Sequence, residues 1–338
     1  MFRSPSISEH HLIQTETGSR KLAYTVCGDL SAAKVFLCLP GLLETRANFE
    51  PLLAMAQSHE NCCWISLDYC GRGDSDPLHP SMNYAMSVYL ADIEVFLAES
   101  VFTKKPVTRK KFFLVGTSMG GILAMQLAKK LGKKIHGLIL NDVSLSLYWS
   151  SLYGLYTQFD MVKKDKGFSA EALGVEPRAV KDVQSPAHFD LHYEFDLLGM
   201  HFHQLMKGFD GPVLLVHNSH SNLCPTEIAQ KTKRHVPHIK IFTVQGQSHP
   251  VDWNSEVCEW ISQAMGLKEV NCVGPVPELH EEQEPTSAAA ADKENCAVAV
   301  VSIPQPETTP QEFQWLKSPW AQLKNTLKLS RIFRLQKN

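Results

Sequence analysis

Between about residues 34 and 265, short apolar runs rich in β-branched and aromatic residues alternate with longer segments of helical period. The runs fall at residues 34–39 (KVFLCL), 62–68 (CCWISLD), 111–115 (KFFLV), 135–141 (IHGLILN), 212–217 (PVLLVH) and 239–244 (IKIFTV). Between them, Met86, Leu90, Ile93 and Leu97 recur at intervals of three or four, as do Leu123, Leu127 and Leu131. That spacing predicts amphipathic helices lying on a sheet. The alternation as a whole predicts an α/β fold, a mostly parallel sheet with helices on both faces. Upstream, residues 11–17 and 21–26 alternate polar and apolar around Thr17, Gly18 and Ser19, the pattern of an antiparallel hairpin at the sheet edge.

The rhythm breaks once. About seventy residues separate Asp142 from Pro212, far more than a single crossover helix requires, so a subdomain is inserted there. The core is expected to span residues 1–143 and 207–268, with a helical lid or cap at 144–206. Beyond it the composition shifts. Residues 271–314 hold six prolines, eight acidic residues and a single lysine, which marks 269–314 as a disordered acidic linker. The stretch 297–303 (AVAVVSI) has strand-like content and reads as a sticky segment rather than an added strand. From residue 315 to 338 the charge inverts to six Lys or Arg with no acid, interleaved with Trp315, Trp320, Leu323 and Leu327. This basic tail is a candidate contact with an anionic membrane surface or a protein partner.

Charge and composition narrow the class. Across 338 residues, 33 basic and 35 acidic side chains leave a formal charge of −2, which excludes a strongly basic nucleic-acid binder. A hydrophobic content of 44% is enough for a sizeable core. No apolar run reaches the roughly 18 residues needed to cross a bilayer, and the first residues lack the apolar stretch of a signal peptide. Nine cysteines, an odd number with Cys62 and Cys63 inside a strand-like run, read as free structural thiols in a reducing compartment. The expected location is therefore the cytoplasm, with the tail as the one route to a membrane surface.

The sharpest chemical signal is Gly116-Thr117-Ser118-Met119-Gly120, a G-x-S-x-G pattern directly after the strand KFFLV and directly before the helix GILAMQLAKKLG. A nucleophile on a sharp strand-to-helix turn needs a strained backbone, and small residues two before and two after let the chain pass close to itself. The helix amino terminus beyond Ser118 offers unpaired N–H groups to a developing oxyanion. A serine hydroxyl is a poor nucleophile until an imidazole removes its proton. Of fifteen histidines, His249 follows the last strand and is the candidate base.

Here the chain resembles the α/β-hydrolase family over roughly residues 10–265. Leu39-Pro40-Gly41-Leu42 is similar to the family's oxyanion loop, which implies an oxyanion hole made by the N–H groups of Leu42 and Met119. Residues 68–76 (DYCGRGDSD) look like the family's D-x-x-G-x-G-x-S turn, and residues 246–250 (GQSHP) like its catalytic-histidine loop. The family usually supplies an acid after the penultimate strand, but residues 217–225 (HNSHSNLCP) contain no carboxylate and place Asn222 at that position. Asp142, at the end of the strand IHGLILN, keeps the chain order serine, acid, histidine. The triad acid is thus either Asp142 or Asn222, and Asp142 has the competing role of a helix cap.

The insertion is rich in aromatics, Tyr148, Trp149, Tyr153, Phe195 and Phe202 among them, suited to walling an apolar pocket or to building the lid's own small core. His188 and His192, with His201 and His203 nearby, lack the cysteines and same-face carboxylates of a metal site, so no metal is expected. No cofactor is implied either. The reading that results is a serine hydrolase acting on a small apolar carboxylic ester or thioester through an acyl-enzyme. Two alternatives stand beside it: a C–C bond hydrolase using a similar serine site, and a catalytically silent fold that binds or scaffolds. A serine rather than an aspartate at the elbow argues against alkyl-enzyme chemistry.

Overall fold

The computed structural model describes residues 6–103, 110–154, 176–180, 191, 194–246 and 249–269. The chain divides at residue 270 into two units, and every described residue belongs to the first. The acidic linker from residue 270, the basic tail at 315–338, much of the insertion, and His188 and His192 lie outside the described residues. Among the described residues no helix is long and apolar enough to cross a membrane.

The chain opens with a long hairpin, β1 (Ile7–Thr15) and β2 (Gly18–Cys27), paired antiparallel. Then follow β3 (Lys34–Leu39), helix α1 (Glu50–Ser58), β4 (Cys62–Leu67), α2 (Met86–Phe96), β5 (Lys111–Thr117), α3 (Met119–Leu131) and β6 (Gly137–Asn141). Within the insertion lie three short strands, β7 (Ser146–Tyr148), β8 (Glu194–Phe195) and β9 (Gly199–His201), and the core resumes with β10 (Val213–Asn218), α4 (Thr226–Lys231), β11 (Lys240–Val244) and α5 (Ser255–Met265). The main sheet has eight strands in the order β1-β2-β4-β3-β5-β6-β10-β11, parallel from β4 onward and antiparallel where the hairpin joins. The hairpin sits at the edge, as its alternation predicts.

The central strands are apolar throughout because both faces are covered. Successive side chains of a strand point to opposite faces, so Val35, Leu37 and Leu39 join one buried cluster while Phe36 and Cys38 join the other. Helices α2 and α3 close the first face, α1 and α5 the second. On the second face Phe36 stacks on Trp64 at a centroid distance of 4.0 Å and on Phe113 at 4.8 Å, tying three adjacent strands through their rings.

The insertion departs from expectation in its described part. Beside a helical stretch that begins at residue 149, it holds a small antiparallel sheet ordered β7-β9-β8. Strands of two and three residues leave no period to read, so the sequence pattern could not announce them. Nor is this part a module with its own core: Leu147, Met200, Phe202 and Met206 are buried in the same cluster as the first face of the main sheet. Phe195 and Tyr153 are exposed instead.

One buried ion pair fastens the edge hairpin to that face. Arg20 of β2 donates from Nε to Asp92 Oδ2 of α2 at 2.9 Å, with side chains only 3% and 2% exposed. Arg20 also donates to the Thr17 carbonyl and to the Thr15 and Thr17 hydroxyls, but these are neutral, so removing Asp92 leaves a buried guanidinium without its counter-charge. Asp92→Ala is therefore expected to cost about 3–5 kcal/mol in urea unfolding; a loss under about 1 kcal/mol would show that the threonine oxygens and water suffice for the guanidinium.

Candidate active site

The loops that carry the site all leave the carboxyl-terminal edge of the sheet, where Leu39 pairs with Gly116 and Thr117 with Asn141. Between the end of β5 and the start of α3 a single residue, Ser118, turns the chain at φ 48° and ψ −112°. That conformation costs an L-residue on the order of 1–3 kcal/mol and persists only when its surroundings hold it. They do so by contact. A Cβ on Gly116 would lie 2.4 Å from the Gly120 backbone, and one on Gly120 would lie 2.0 Å from the Leu39 carbonyl oxygen. The Ser118 N–H donates to the Asn141 carbonyl at 3.0 Å, and its own carbonyl accepts from Gly121 at 2.9 Å.

Ser118 Oγ lies 2.9 Å from His249 Nε2, and His249 Nδ1 lies 2.7 Å from Asp142 Oδ2. Asp142 is fully buried, and its second oxygen, Oδ1, accepts the Asn218 N–H at 3.0 Å. A carboxylate can only accept, so Nδ1 carries the imidazole proton and Nε2 is left as the acceptor facing the serine hydroxyl. Asp142 itself sits at φ 50°, its N–H held by the Val216 carbonyl at 2.7 Å. Its carboxylate thus reaches across the edge to β10 and to the histidine loop, with both oxygens engaged away from any helix start. Asn222 is not part of this group. It is exposed, and its carbonyl accepts the Ser151 hydroxyl at 2.6 Å.

The residue before Asp142 holds the other two loops. Asn141 is buried; its amide donates to the Val251 carbonyl at 2.7 Å and its Oδ1 accepts the Val251 N–H at 3.2 Å, two residues beyond His249. One side chain therefore clamps the histidine loop, while the same residue's carbonyl anchors Ser118.

Facing this relay is the turn of residues 40–44. Neither the Leu42 nor the Met119 N–H has a hydrogen-bond partner among the described residues, so both are available to a ligand oxygen. The Gly41 N–H instead donates to Glu44 Oε2 at 2.7 Å. Burial pushes the Glu44 carboxyl up to about 7, against the Gly41 N–H, the Thr117 hydroxyl and His249, which all favour its charge, while Asp252 opposes it. The described insertion also reaches the residue after this turn and the turn of residues 68–76. Thr45 Oγ1 donates to Glu176 Oε2 at 2.8 Å, Arg72 to the Ala179 carbonyl at 2.9 Å and Gly73 N–H to the Arg178 carbonyl at 3.0 Å.

Behind the acid, Asp142, His217 and Cys224 bring possible ligand atoms within 4.8 Å of one another. Their capacity is spent elsewhere. Both ring nitrogens of His217 have protein partners, the Thr243 hydroxyl at 3.3 Å and the Cys224 carbonyl at 3.0 Å, and burial pushes the Cys224 thiol well above its usual range. In the insertion, His201 pairs with Asp196 at 3.0 Å and His203 with Glu194 at 3.2 Å.

The family model described as the alpha/beta hydrolase fold matches residues 34–178, the stretch from β3 through the elbow into the insertion. The fold of the chain is that of the α/β-hydrolases. The chain is 30% identical over 131 residues to a 3-hydroxybutyrate-oligomer hydrolase of Cupriavidus necator, an alignment covering 38% of the chain and 41% of that relative's length. It is 24% identical over 269 residues to the proline iminopeptidase PfmaB of Pestalotiopsis fici, covering 70% of the chain and 92% of that protein. In structure it is similar to a thermophilic esterase from Thermogutta terrifontis, at TM-score 0.58 and 17% identity over 76% of this chain and 98% of that one.

Three contributors to the site carry no motif in the sequence: the Asn141 amide, the Asn218 N–H and the Glu44 carboxyl. Only Asn141 left a trace, as a polar residue closing an apolar strand. Two outcomes test this account. Asn141→Ala leaves the Val251 peptide groups buried without partners, so it is expected to destabilise the fold by about 1–3 kcal/mol and to lower any activity that depends on His249; unchanged stability in thermal unfolding would contradict the clamp. For Glu44 the folded carboxyl binds its proton more tightly than the unfolded one, so stability falls as pH rises from its ordinary value of 4.5 towards about 7. Glu44→Gln abolishes that dependence. Its melting temperature relative to the parent is expected to rise between pH 5 and pH 8, by the equivalent of about 1–2 kcal/mol after allowing for partial exposure; a difference independent of pH would contradict it.

Proposed function

We propose that this protein is a serine hydrolase that cleaves a small or medium apolar carboxylic ester or thioester through an acyl-enzyme. The observation that carries the reading is the continuous hydrogen-bond relay from Asp142 through His249 to Ser118. In the first half-reaction Ser118 Oγ attacks the ester carbonyl carbon and its proton passes to His249 Nε2. The C=O pair moves onto oxygen, and the unpartnered Leu42 and Met119 N–H groups are the donors that receive that charge in this reading. Collapse of the tetrahedral adduct breaks the bond to the alcohol or thiol, which takes the proton from Nε2 as it leaves. Water then repeats the sequence on the acyl-enzyme, giving the carboxylic acid and free Ser118.

Asp142 stabilises the imidazolium that exists between these transfers without itself becoming protonated. The silent-fold alternative drew its support from the missing carboxylate in residues 217–225; a carboxylate bonded to His249 from the end of β6 removes that ground. An ester substrate agrees with the names of the relatives, a hydrolase of 3-hydroxybutyrate oligomers and an esterase. The peptidase name of the fungal relative makes an amide substrate the natural control.

The test is labelling of the full chain with a serine-directed fluorophosphonate, together with hydrolysis of a short-chain aryl ester and of an aryl amide. Ser118→Ala is expected to abolish both labelling and turnover. Asp142→Asn is expected to lower kcat by about 10⁴ because it imposes the wrong imidazole tautomer, while Asn222→Ala stays within about twofold of the parent, outside the effects expected of a triad member. Turnover that survives Ser118→Ala, or absence of labelling in the folded parent, would refute the reading.

A further inference from the structure

The turn after β3 carries a carboxyl group that the reaction above does not use. Residues 41–44 close on themselves twice: the Glu44 N–H donates to the Gly41 carbonyl at 3.4 Å, and Glu44 Oε2 accepts the Gly41 N–H at 2.7 Å. Around this small ring, the Tyr69 hydroxyl donates to the Pro40 carbonyl at 2.9 Å, and the Arg72 guanidinium donates to the Leu42 carbonyl. Each carbonyl from Pro40 to Leu42 thus has a donor, and the Gly41 N–H has its acceptor. The N–H groups left over in the turn are those of its two central residues, Leu42 and Leu43, and the first of these is the proposed oxyanion donor.

Why an acceptor is needed follows from what lies between the anchors. The peptide that bears the Leu42 N–H hangs from Gly41, whose φ and ψ are freer than those of any other residue. A Cβ on Gly41 would lie 3.2 Å from Glu44 Oε2, so it would press on this contact and the Glu44 side chain would have to give by a few tenths of an ångström. With glycine there, the hydrogen bond to the Gly41 N–H is what restrains the 41–42 peptide from swinging and fixes where the Leu42 N–H points.

We propose that Glu44 is a positioning residue of the oxyanion hole, its carboxyl holding the Gly41 N–H so that the Leu42 N–H stays directed at the reacting oxygen. This rests on the serine-hydrolase reading given above. The groups that face the carboxyl are His249 and Asp252 from the histidine loop, Tyr69 and the Thr117 hydroxyl. A permanent negative charge so near a developing oxyanion would oppose it. Burial, by favouring the protonated form near neutral pH, weakens that opposition.

The experiment compares Glu44→Ala, Glu44→Asp and Glu44→Gln with the parent at pH 7.5. Three readouts are taken: the second-order rate of fluorophosphonate labelling, kcat and KM on a short-chain aryl ester, and the inhibition constant of an alkyl trifluoromethyl ketone, whose adduct places an oxyanion in the hole. Gln still offers an oxygen acceptor at the same reach; Asp keeps the charge but is one methylene short. Glu44→Ala and Glu44→Asp are expected to lose about 10- to 100-fold in kcat and labelling rate, somewhat less than loss of an entire oxyanion donor. They should weaken the ketone in parallel and leave KM near the parent value. Glu44→Gln should stay within about fivefold on all three, since the amide oxygen preserves the anchor without its charge.

Loss confined to KM would make Glu44 a substrate contact and overturn the proposal. So would full activity in Glu44→Asp alongside a collapse in Glu44→Gln, which would make charge the operative property. Were Glu44→Ala unable to fold, the Asp and Gln variants alone decide between these outcomes. A parent that fluorophosphonate does not label refutes the hydrolase reading itself, whereas a labelled parent with unaffected Glu44 variants refutes only the role given to Glu44.

Discussion

Everything in the site depends on one buried carboxylate being held at the edge of the sheet. Asp142 has no exposure to solvent, and burying a charge is tolerable only when both oxygens find donors. It has two, the Asn218 N–H at the end of β10 and the His249 ring. The left-handed backbone at Asp142 is what turns the side chain back across the edge instead of onward along the chain. A residue in ordinary strand geometry would continue β6 and point its carboxylate to one face of the sheet, away from the histidine loop.

The same edge explains why strain is concentrated there. Ser118 and Asp142, two of the three relay residues, are both non-glycine residues at positive φ, on the neighbouring strands β5 and β6. Each is held by backbone hydrogen bonds to the next strand: Ser118 to Asn141, Asp142 to Val216. A parallel sheet buried on both faces is stiff enough to bear such conformations, because any relaxation at one strand end would break the pairing of the next. The Phe36, Trp64 and Phe113 stack on the far face adds to that stiffness beneath the turns.

Much of this was legible in the chain itself, for physical reasons that differ by element. The central strands announce themselves because burial on two faces demands continuous apolar runs, and their observed bounds lie within two residues of the predicted ones at β3, β4, β6, β10 and β11. Strand β5 runs on through Gly116 and Thr117, which the motif had claimed for the turn, because both residues still pair with the neighbouring strands. Ser118 stands out because a turn of that sharpness needs its flanking glycines, and His249 because it follows the last strand of the sheet. The acid could not be read so directly. A loop pattern places Asn222 where an acid is usual, and only the register of β6 against β10 brings Asp142 beside the Asn218 N–H. The short strands of the insertion left no period at all.

Glu44 shows the limit of reading chemistry from motifs. Within Pro40-Gly41-Leu42-Leu43-Glu44 it looks like a solvated charge at the end of an apolar turn, and nothing in its spacing to Ser118 or His249 marks it. Its meaning arises only when the turn folds and its carboxyl meets the N–H three residues back. An accounting of backbone groups then does what pattern cannot. In a crowded turn nearly every N–H and C=O must find a partner, so a donor left free beside a nucleophile is informative in proportion to how completely its neighbours are satisfied. In this turn the carbonyls from Pro40 to Leu42 and the Gly41 N–H are satisfied, the N–H groups of Leu42 and Leu43 are left, and the group that completes the set is the Glu44 carboxyl, which burial pushes up to about 7. Perturbed ionisation marks functional sites because burial near reacting atoms is tolerated only where it serves them. At Glu44 the service is geometric: burial weakens the charge that would harm the oxyanion, while the carboxyl oxygen still fixes the donor that receives it.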